Sequence, residues 1–136
     1  TLSSQVIVTC TPSRRAVLRR EHVAPGTFIA AVGADDHDKQ ELDPDLLAHA
    51  RVVVDVLDQC AQSGDLHYAI EAGSMTRSDV VAELGAIVAG TVRPQFAADD
   101  IIVFDSTGSA FEDVAAASII YERAEAENMG ISVALS

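Results

Sequence analysis

Phe28-Ile29-Ala30-Ala31-Val32-Gly33-Ala34-Asp35-Asp36-His37-Asp38-Lys39 decides how the rest of the chain is read. An apolar run ends at a glycine, a carboxylate follows at once, and the only lysine of the chain comes four residues after it. A strand that stops at Gly33 and delivers an acid and an amine beyond its carboxyl end has the layout of a binding edge in an open α/β sheet, where ligands sit outside the strand ends. Gly33 permits a positive φ or the close approach of a flat ligand. Asp35 suits holding a substrate ammonium or moving a proton, because shelter can tune a carboxyl pKa toward neutrality. Lys39 suits neutralising Asp35, a substrate carboxylate or a cofactor oxygen. The plainer alternative is a surface loop whose Asp35 and Lys39 form a screened ion pair worth ~0.2–1 kcal/mol. The neighbouring Asp36 and Asp38 favour that alternative.

Working outward, Gln5-Val6-Ile7-Val8-Thr9-Cys10 is a β-branched run closed by Thr11-Pro12-Ser13, a buried strand stopping at a turn. Pro12 keeps Thr11 extended, so Thr11 and Ser13 present hydroxyls at a second strand end; local backbone capping is the bland use of them. Val17-Leu18 with Val23 reads as a short covered segment. Asp43-Pro44 starts a helix whose apolar face is Leu46, Leu47 and Ala50. Residues 51–56 form a third buried strand, Asp58 caps a short helix ended by Gly64, and residues 65–70 form another helical turn ended by Gly73. Thr76-Arg77-Ser78-Asp79 caps a helix carrying Val80, Val81, Leu84, Ile87 and Val88 up to Gly90. Residues 91–100 read as a flexible loop. Ile101-Ile102-Val103-Phe104 is the fourth strand, and Asp105-Ser106-Thr107-Gly108 turns into a long helix from about Ala110 to Asn128. Gly130 ends it, and Ile131-Ser132-Val133-Ala134-Leu135 is a terminal extended segment. The free N–H groups and hydroxyls of Ser106-Thr107-Gly108 suit a carboxamide or carboxylate, with a plain N-cap turn as the alternative.

Strands thus alternate with helices, which predicts an α/β fold with a mainly parallel sheet. Its core is built from Ala, Val, Ile and Leu, since aromatics are 4% of 136 residues. Three strands end in Thr11, Gly33 and Ser106-Thr107. If those ends share one edge, they line one crevice.

Composition narrows the function classes. The formal net charge of -12 argues against nucleic-acid binding, which needs a basic face. Eight Arg, one Lys and many Asp are equally consistent with an ordinary acidic cytosolic protein and with a protein adapted to high salt. No apolar run approaches the ~20 residues of a membrane span. Cys10 and Cys60 fit no metal or redox spacing and read as small buried residues, so cytoplasm is the default compartment. The four histidines fit no ligand spacing, so no metal site is expected. There is no G-x-G-x-x-G after a strand, no nucleophile elbow and no phosphate loop.

Several spaced motifs, taken together, carry a resemblance. Thr9-Cys10-Thr11-Pro12-Ser13, Val32-Gly33-Ala34-Asp35 through Lys39-Gln40-Glu41-Leu42-Asp43, Glu83-Leu84-Gly85 with Ala89-Gly90, and Phe104-Asp105-Ser106-Thr107-Gly108 through Glu112-Asp113-Val114-Ala115 stand in the order seen in the ornithine cyclodeaminase/mu-crystallin family. The chain most resembles the archaeal alanine dehydrogenase branch, notably in Asp105-Ser106-Thr107-Gly108 and Ile119-Ile120-Tyr121-Glu122. What the resemblance implies is an NAD(P)-dependent amino-acid oxidoreductase, alanine dehydrogenase-like, acting on a small amino-acid or imino-acid substrate. Ornithine cyclodeaminase and ketimine reductase are the alternatives within the family, and a non-catalytic ligand-binding or dimerisation module is the alternative from another class. On this resemblance Asp35 matches the catalytic aspartate that meets the substrate amine. Thr11, Val32, Gly33, Ala34, Lys39 and Ser106 match cofactor contacts, with Thr9 close enough in sequence to compete with Thr11. Thr107 matches a position that touches substrate. His37-Asp38 stands where the family often has Pro-Gly, so the shape of that loop is expected to differ.

The family is typically homodimeric. The resemblance implies that residues 1–109 are the second half of a Rossmann-type NAD(P)-binding domain, and that residues 110–136 return to a dimerisation and substrate domain. The glycine fingerprint and the substrate-carboxylate Arg and Lys of the family are expected upstream of Thr1. The chain is therefore expected to be a fragment of a longer protein, inactive alone; a natural truncation is the alternative.

Overall fold

The computed structural model describes residues 3–131 and residue 133. Among the described residues there are seven strands: β1 (Val6–Thr9), β2 (Arg14–Leu18), β3 (Phe28–Ala31), β4 (Gln40–Leu42), β5 (Arg51–Val54), β6 (Ala82–Glu83) and β7 (Ile102–Asp105). Five helices accompany them: α1 (Pro44–Ala48), α2 (Leu57–Ser63), α3 (Asp65–Glu71), α4 (Leu84–Val88) and α5 (Ala110–Ala126). Five strands form one sheet in the order β1-β3-β7-β5-β6, and every neighbouring pair is parallel. β2 and β4 form a separate parallel pair.

The register explains the core. Ile7, Ile29, Val103 and Val52 lie side by side across the sheet, as do Thr9, Ala31, Asp105 and Val54. Successive strand residues face opposite ways, so these two rows share one face. That face packs with Leu46 and Leu47 of α1, Cys60 of α2, and Leu66 and Ala69 of α3. α1 forms where the sequence predicts it. Asp43 accepts a hydrogen bond from the Asp45 N–H at 3.0 Å, Pro44 takes the first turn, and Leu46 and Leu47 turn inward. The opposite face is less covered: Val6 and Val8 of β1 remain 64% and 66% exposed. β1 has β3 on one side and no partner on the other among the described residues.

Several expectations are corrected. Leu18 and Val23 are covered as expected, but Val17 is exposed, and Val17-Leu18 belongs to a strand not foreseen, β2, paired with β4. The helix expected from Val80 to Val88 begins only at Leu84. Thr76 and Asp79 do form reciprocal cap bonds, but these close a single 3₁₀ turn over Arg77–Asp79. The Val81 N–H then donates to the Val52 carbonyl at 2.8 Å, and β6 joins β5 before α4 starts. Val81 thus serves sheet pairing, while Val80 closes the 3₁₀ turn and packs against the core, so neither lies on a helix face. Asp58 lies inside the first turn of α2 and pairs with Arg77 instead of capping the helix. Cys10 is exposed and Cys60 buried, both as free thiols. α5 starts at Ala110 as expected, with Ser109, which the sequence reading did not single out, as its cap, yet none of its residues is buried; Phe111 is 86% exposed. Ile131 and Val133 are exposed and outside any strand, while Ser132, Ala134 and Leu135 of the expected terminal segment lie outside the described residues.

Candidate functional site

Because β1, β3 and β7 are adjacent and parallel, their carboxyl ends share one edge of the sheet. The ladder continues past the strands. Val32 N–H donates to the Thr9 carbonyl at 3.0 Å, and Ser106 N–H donates to the Ala31 carbonyl at 2.9 Å. The segments Thr9-Cys10-Thr11, Val32-Gly33-Ala34-Asp35 and Ser106-Thr107 therefore stand in a row beyond the carboxyl ends of the strands, where an open α/β sheet binds ligands.

The middle segment carries the charge. Lys39 Nζ donates to Asp35 Oδ1 at 2.5 Å. The hydrogen bond and charge of Lys39 hold the Asp35 carboxyl below the usual carboxylate range, opposite to the expected drift toward neutrality. Asp35 in turn raises Lys39. Asp35 is thus a carboxylate, suited to accept a proton or hold an ammonium rather than to donate a proton. The loop between them is tied down despite its His37-Asp38 sequence. Lys39 N–H closes a turn on the Asp36 carbonyl at 3.0 Å, and Tyr68 Oη of α3 donates to the His37 carbonyl at 2.7 Å.

Val32 is exposed, and Gly33 and Ala34 are buried. Gly33 is required for a reason other than a ligand or a positive φ. A Cβ at Gly33 would lie 2.5 Å from both Glu41 Oε1 and the Thr11 backbone nitrogen. Gly33→Ala should lower the urea midpoint by an amount equivalent to about 1–3 kcal/mol of overpacking. A midpoint unchanged within error would show that the strand end has room.

The other two segments differ from the sequence reading. Thr11 Oγ1 accepts from the Ser13 N–H at 3.2 Å and keeps its proton for another acceptor. The N–H groups of Thr107 and Gly108 are not free: both donate to Asp55 Oδ2, at 2.9 and 2.8 Å. Ser106 Oγ donates to the same oxygen at 2.9 Å. The nest expected to hold a ligand carboxylate holds a carboxylate of the chain itself. Burial opposes ionisation of Asp55, but hydrogen bonds from Cys60, Val56, Ser106 and Gly108 outweigh it and lower the pKa. Thr107 Oγ1 and Thr9 Oγ1 are buried hydroxyls without a partner, one at each side of β3.

Sequence reading missed four acidic residues. Glu41, Asp65 and Asp105 are fully buried and Asp55 is half-buried. Asp105 accepts from the N–H groups of Asp65 and Leu66, at 3.3 and 2.9 Å, at the start of α3. Gly64 is small because a Cβ there would lie 2.7 Å from Asp105 Oδ2. Asp65 Oδ1 accepts from Glu41 N–H and Leu42 N–H at 2.8 and 2.9 Å. Glu41 accepts from Thr11 N–H at 2.5 Å and from Gly33 N–H at 2.9 Å. Burial, reinforced by the charge of Asp65, pushes Asp105 up to about 8. Burial pushes Asp65 up to about 6 against its two backbone donors. Burial likewise raises the Cys60 thiol, so the only buried cysteine is inert. The signal in the sequence was an acid closing an apolar β-branched run, Val54-Asp55 and Phe104-Asp105, but a chain with 21 Asp and Glu hides it.

Among the described residues no group of three His, Cys, Asp or Glu is placed to hold a metal ion, and no helix is long and apolar enough to cross a membrane. Comparison with known proteins bears on the row of strand ends. The chain is 42% identical to alanine dehydrogenase of Archaeoglobus fulgidus over 128 residues, covering 94% of this chain and 40% of that protein. It superposes with a TM-score of 0.87 on a solved archaeal alanine dehydrogenase dimer with bound NAD, at 41% identity, covering 97% of this chain and 41% of that one. On the Thermococcus litoralis Δ1-pyrroline-2-carboxylate reductase in complex with NADH and L-proline the TM-score is 0.90 at 29% identity, covering 96% and 41%. The chain therefore spans about two fifths of the length of these relatives. The sequence pattern of the whole family matches residues 2–128. With the parallel sheet, the strand-end row and these likenesses in agreement, the chain belongs to the ornithine cyclodeaminase/mu-crystallin family.

Proposed function

We propose that the whole protein is an NAD(P)-dependent oxidoreductase of small L-amino acids, alanine dehydrogenase-like, and that this chain supplies the wall beside the nicotinamide. The observation that carries the reading is the single edge on which β1, β3 and β7 place Thr11, Gly33 to Lys39, and Ser106-Thr107. Relatives that share this edge are solved with NAD or with NADH and L-proline bound. The residues fit such a ligand: Thr11 has an unused hydroxyl proton and the Thr107 hydroxyl has no partner.

In this reading, Val32, Gly33 and Ala34 form the wall at the end of β3, Thr11 and Ser106 flank it, and Lys39 faces a cofactor oxygen. The bound nicotinamide supplies the acceptor for the hydride leaving the substrate α-carbon. Asp35 holds the substrate ammonium and accepts the proton that the amine must lose as the carbon–nitrogen double bond forms. Thr107 donates to or accepts from the substrate. Lys39 keeps Asp35 ionised for that task. Water then adds at the α-carbon and ammonia leaves, so L-alanine, NAD(P)+ and water give pyruvate, ammonium, NAD(P)H and one proton. The unburied helix α5 fits a boundary near Ser109–Ala110, beyond which the chain returns to a substrate and dimerisation region. A homodimer is part of this reading, as in the archaeal relative.

The test is an initial-rate assay on the whole protein. NADH or NADPH formation with L-alanine is the expected result. Proline formation from L-ornithine instead would move the assignment to the cyclodeaminases, and failure to bind either dinucleotide would remove catalysis in favour of a binding or dimerisation module.

A further inference from the structure

We infer that Glu41 is the positioning residue that fixes the wall beside the nicotinamide, an assignment that rests on the reading given above. Its carboxylate is fully buried between the ends of β1 and β3. One oxygen takes the Thr11 N–H and the other takes the Gly33 N–H. Both amides lie just past their strands, where the ladder has run out and each needs an acceptor. A side chain from β4 supplies both at once. It thereby sets the spacing between the segment carrying Thr11 and the segment leading to Asp35.

Glu41 is itself held. β4 pairs only with β2, outside the main sheet. Its register toward the edge is set by Asp65, which takes the N–H groups of Glu41 and Leu42. Asp65 starts α3, and its own N–H is held by Asp105 at the end of β7. Asp105 precedes Ser106-Thr107, whose backbone is held by Asp55 at the end of β5. The three segments of the edge are therefore linked by carboxyl groups that accept backbone N–H bonds at successive steps. Each of these carboxyl groups meets backbone donors that no strand or helix partner serves, and a site held by such a frame keeps its geometry without a ligand. Gly33 completes the device, since any side chain there would displace the Glu41 carboxylate.

Glu41→Gln keeps the shape but replaces one acceptor oxygen by an amide that repels an N–H donor. In the whole protein we expect folded Glu41→Gln to bind NADH at least tenfold more weakly by fluorescence titration. At saturating cofactor and amino acid, kcat should fall at least tenfold while KM for the amino acid changes less than threefold. A residue that served stability alone would lower the urea midpoint and leave both the NADH affinity and kcat of the folded protein within twofold; that result overturns the assignment. Amide hydrogen exchange of the unaltered protein supplies a second measure independent of how the variant folds. Thr11 and Gly33 amides should exchange at least a hundredfold more slowly than those of His37 and Asp38 before any dinucleotide is added. Equal exchange overturns the assignment. Failure of the unaltered protein to bind NADH would instead overturn the functional reading, and so is separable.

Discussion

Asp35→Asn should lower kcat of the whole protein by about 10²–10⁴-fold, the usual contribution of a positioned acid or base. The replacement keeps the shape and removes the charge. It therefore abolishes both the attraction for a substrate ammonium and the capacity to take its proton. Stability should move little, because Asp35 is an exposed carboxylate whose one ion partner is Lys39. Surface changes of that kind stay within about 0.5 kcal/mol. Cofactor affinity should also persist, since Asp35 accepts from Lys39 and supports no strand end in the way Glu41 does. The check is a set of initial rates at saturating substrate beside an NADH titration and a urea curve. Rates near those of the unaltered protein would refute the assigned role and restore the plain surface ion pair.

Stability should fall as pH rises from about 5 to about 9, and Asp105 should be the main cause. In the unfolded chain both Asp105 and Asp65 titrate near 3.9. In the fold burial pushes them up to about 8 and about 6. The folded state therefore binds more protons than the unfolded state between those limits. Their favourable contribution is complete below about pH 4 and is lost as pH passes first through 6 and then through 8, at up to about 1.4 kcal/mol per pH unit for each group. Asp35 and Asp55 run the other way. Their carboxyls are lowered by hydrogen bonds, so they stabilise the fold above the ordinary carboxylate pKa and lose that effect only in acid. Self-repulsion of a chain of net charge -12 also grows with pH, and high salt removes most of it, since the Debye length is about 3 Å at 1 M. Urea midpoints measured in 1 M salt should drop from pH 5 to pH 9. Asp105→Asn, which keeps one acceptor oxygen and cannot ionise, should flatten the drop above pH 7. A midpoint that rises or holds steady over that range would contradict the burial account.

The fold and the site were legible to different depths. Periodicity located β1, β3, β5 and β7 and the starts of α1 and α5, because β-branched runs, an Asp-Pro helix start and a Gly before a long helical pattern leave local signals. It missed β2, β4 and β6, which are short or polar and are defined by their partners rather than by their own residues. Gln40-Glu41-Leu42 has no strand signature; its pairing with β2 and the buried role of Glu41 are both non-local. The row of strand ends was visible as Thr11, Gly33 and Ser106-Thr107, but what binds their backbones was not. Asp55 and Glu41 each reach across elements separated by 53 and 30 residues or fewer, to Gly108 and Thr11 respectively. A composition rich in acids gives no means of telling those carboxylates from solvent-facing ones. Only in the fold does the reason for Gly33 change, from an opening for a ligand to room for a carboxylate.

One consequence follows from the outer side of β1. Val6-Ile7-Val8-Thr9 carries no charge and no proline, and two of its valines face outward. Natural sheets blunt such strands with lysine, proline, bulges or a covering segment, and this chain keeps its one lysine for Asp35. A β-strand with a bare row of backbone donors and acceptors is a template for any other extended segment. In the reading proposed above, the first half of the dinucleotide-binding domain supplies that segment, so the outer side of β1 is a seam inside the sheet of the whole protein and an open template only when this chain stands alone.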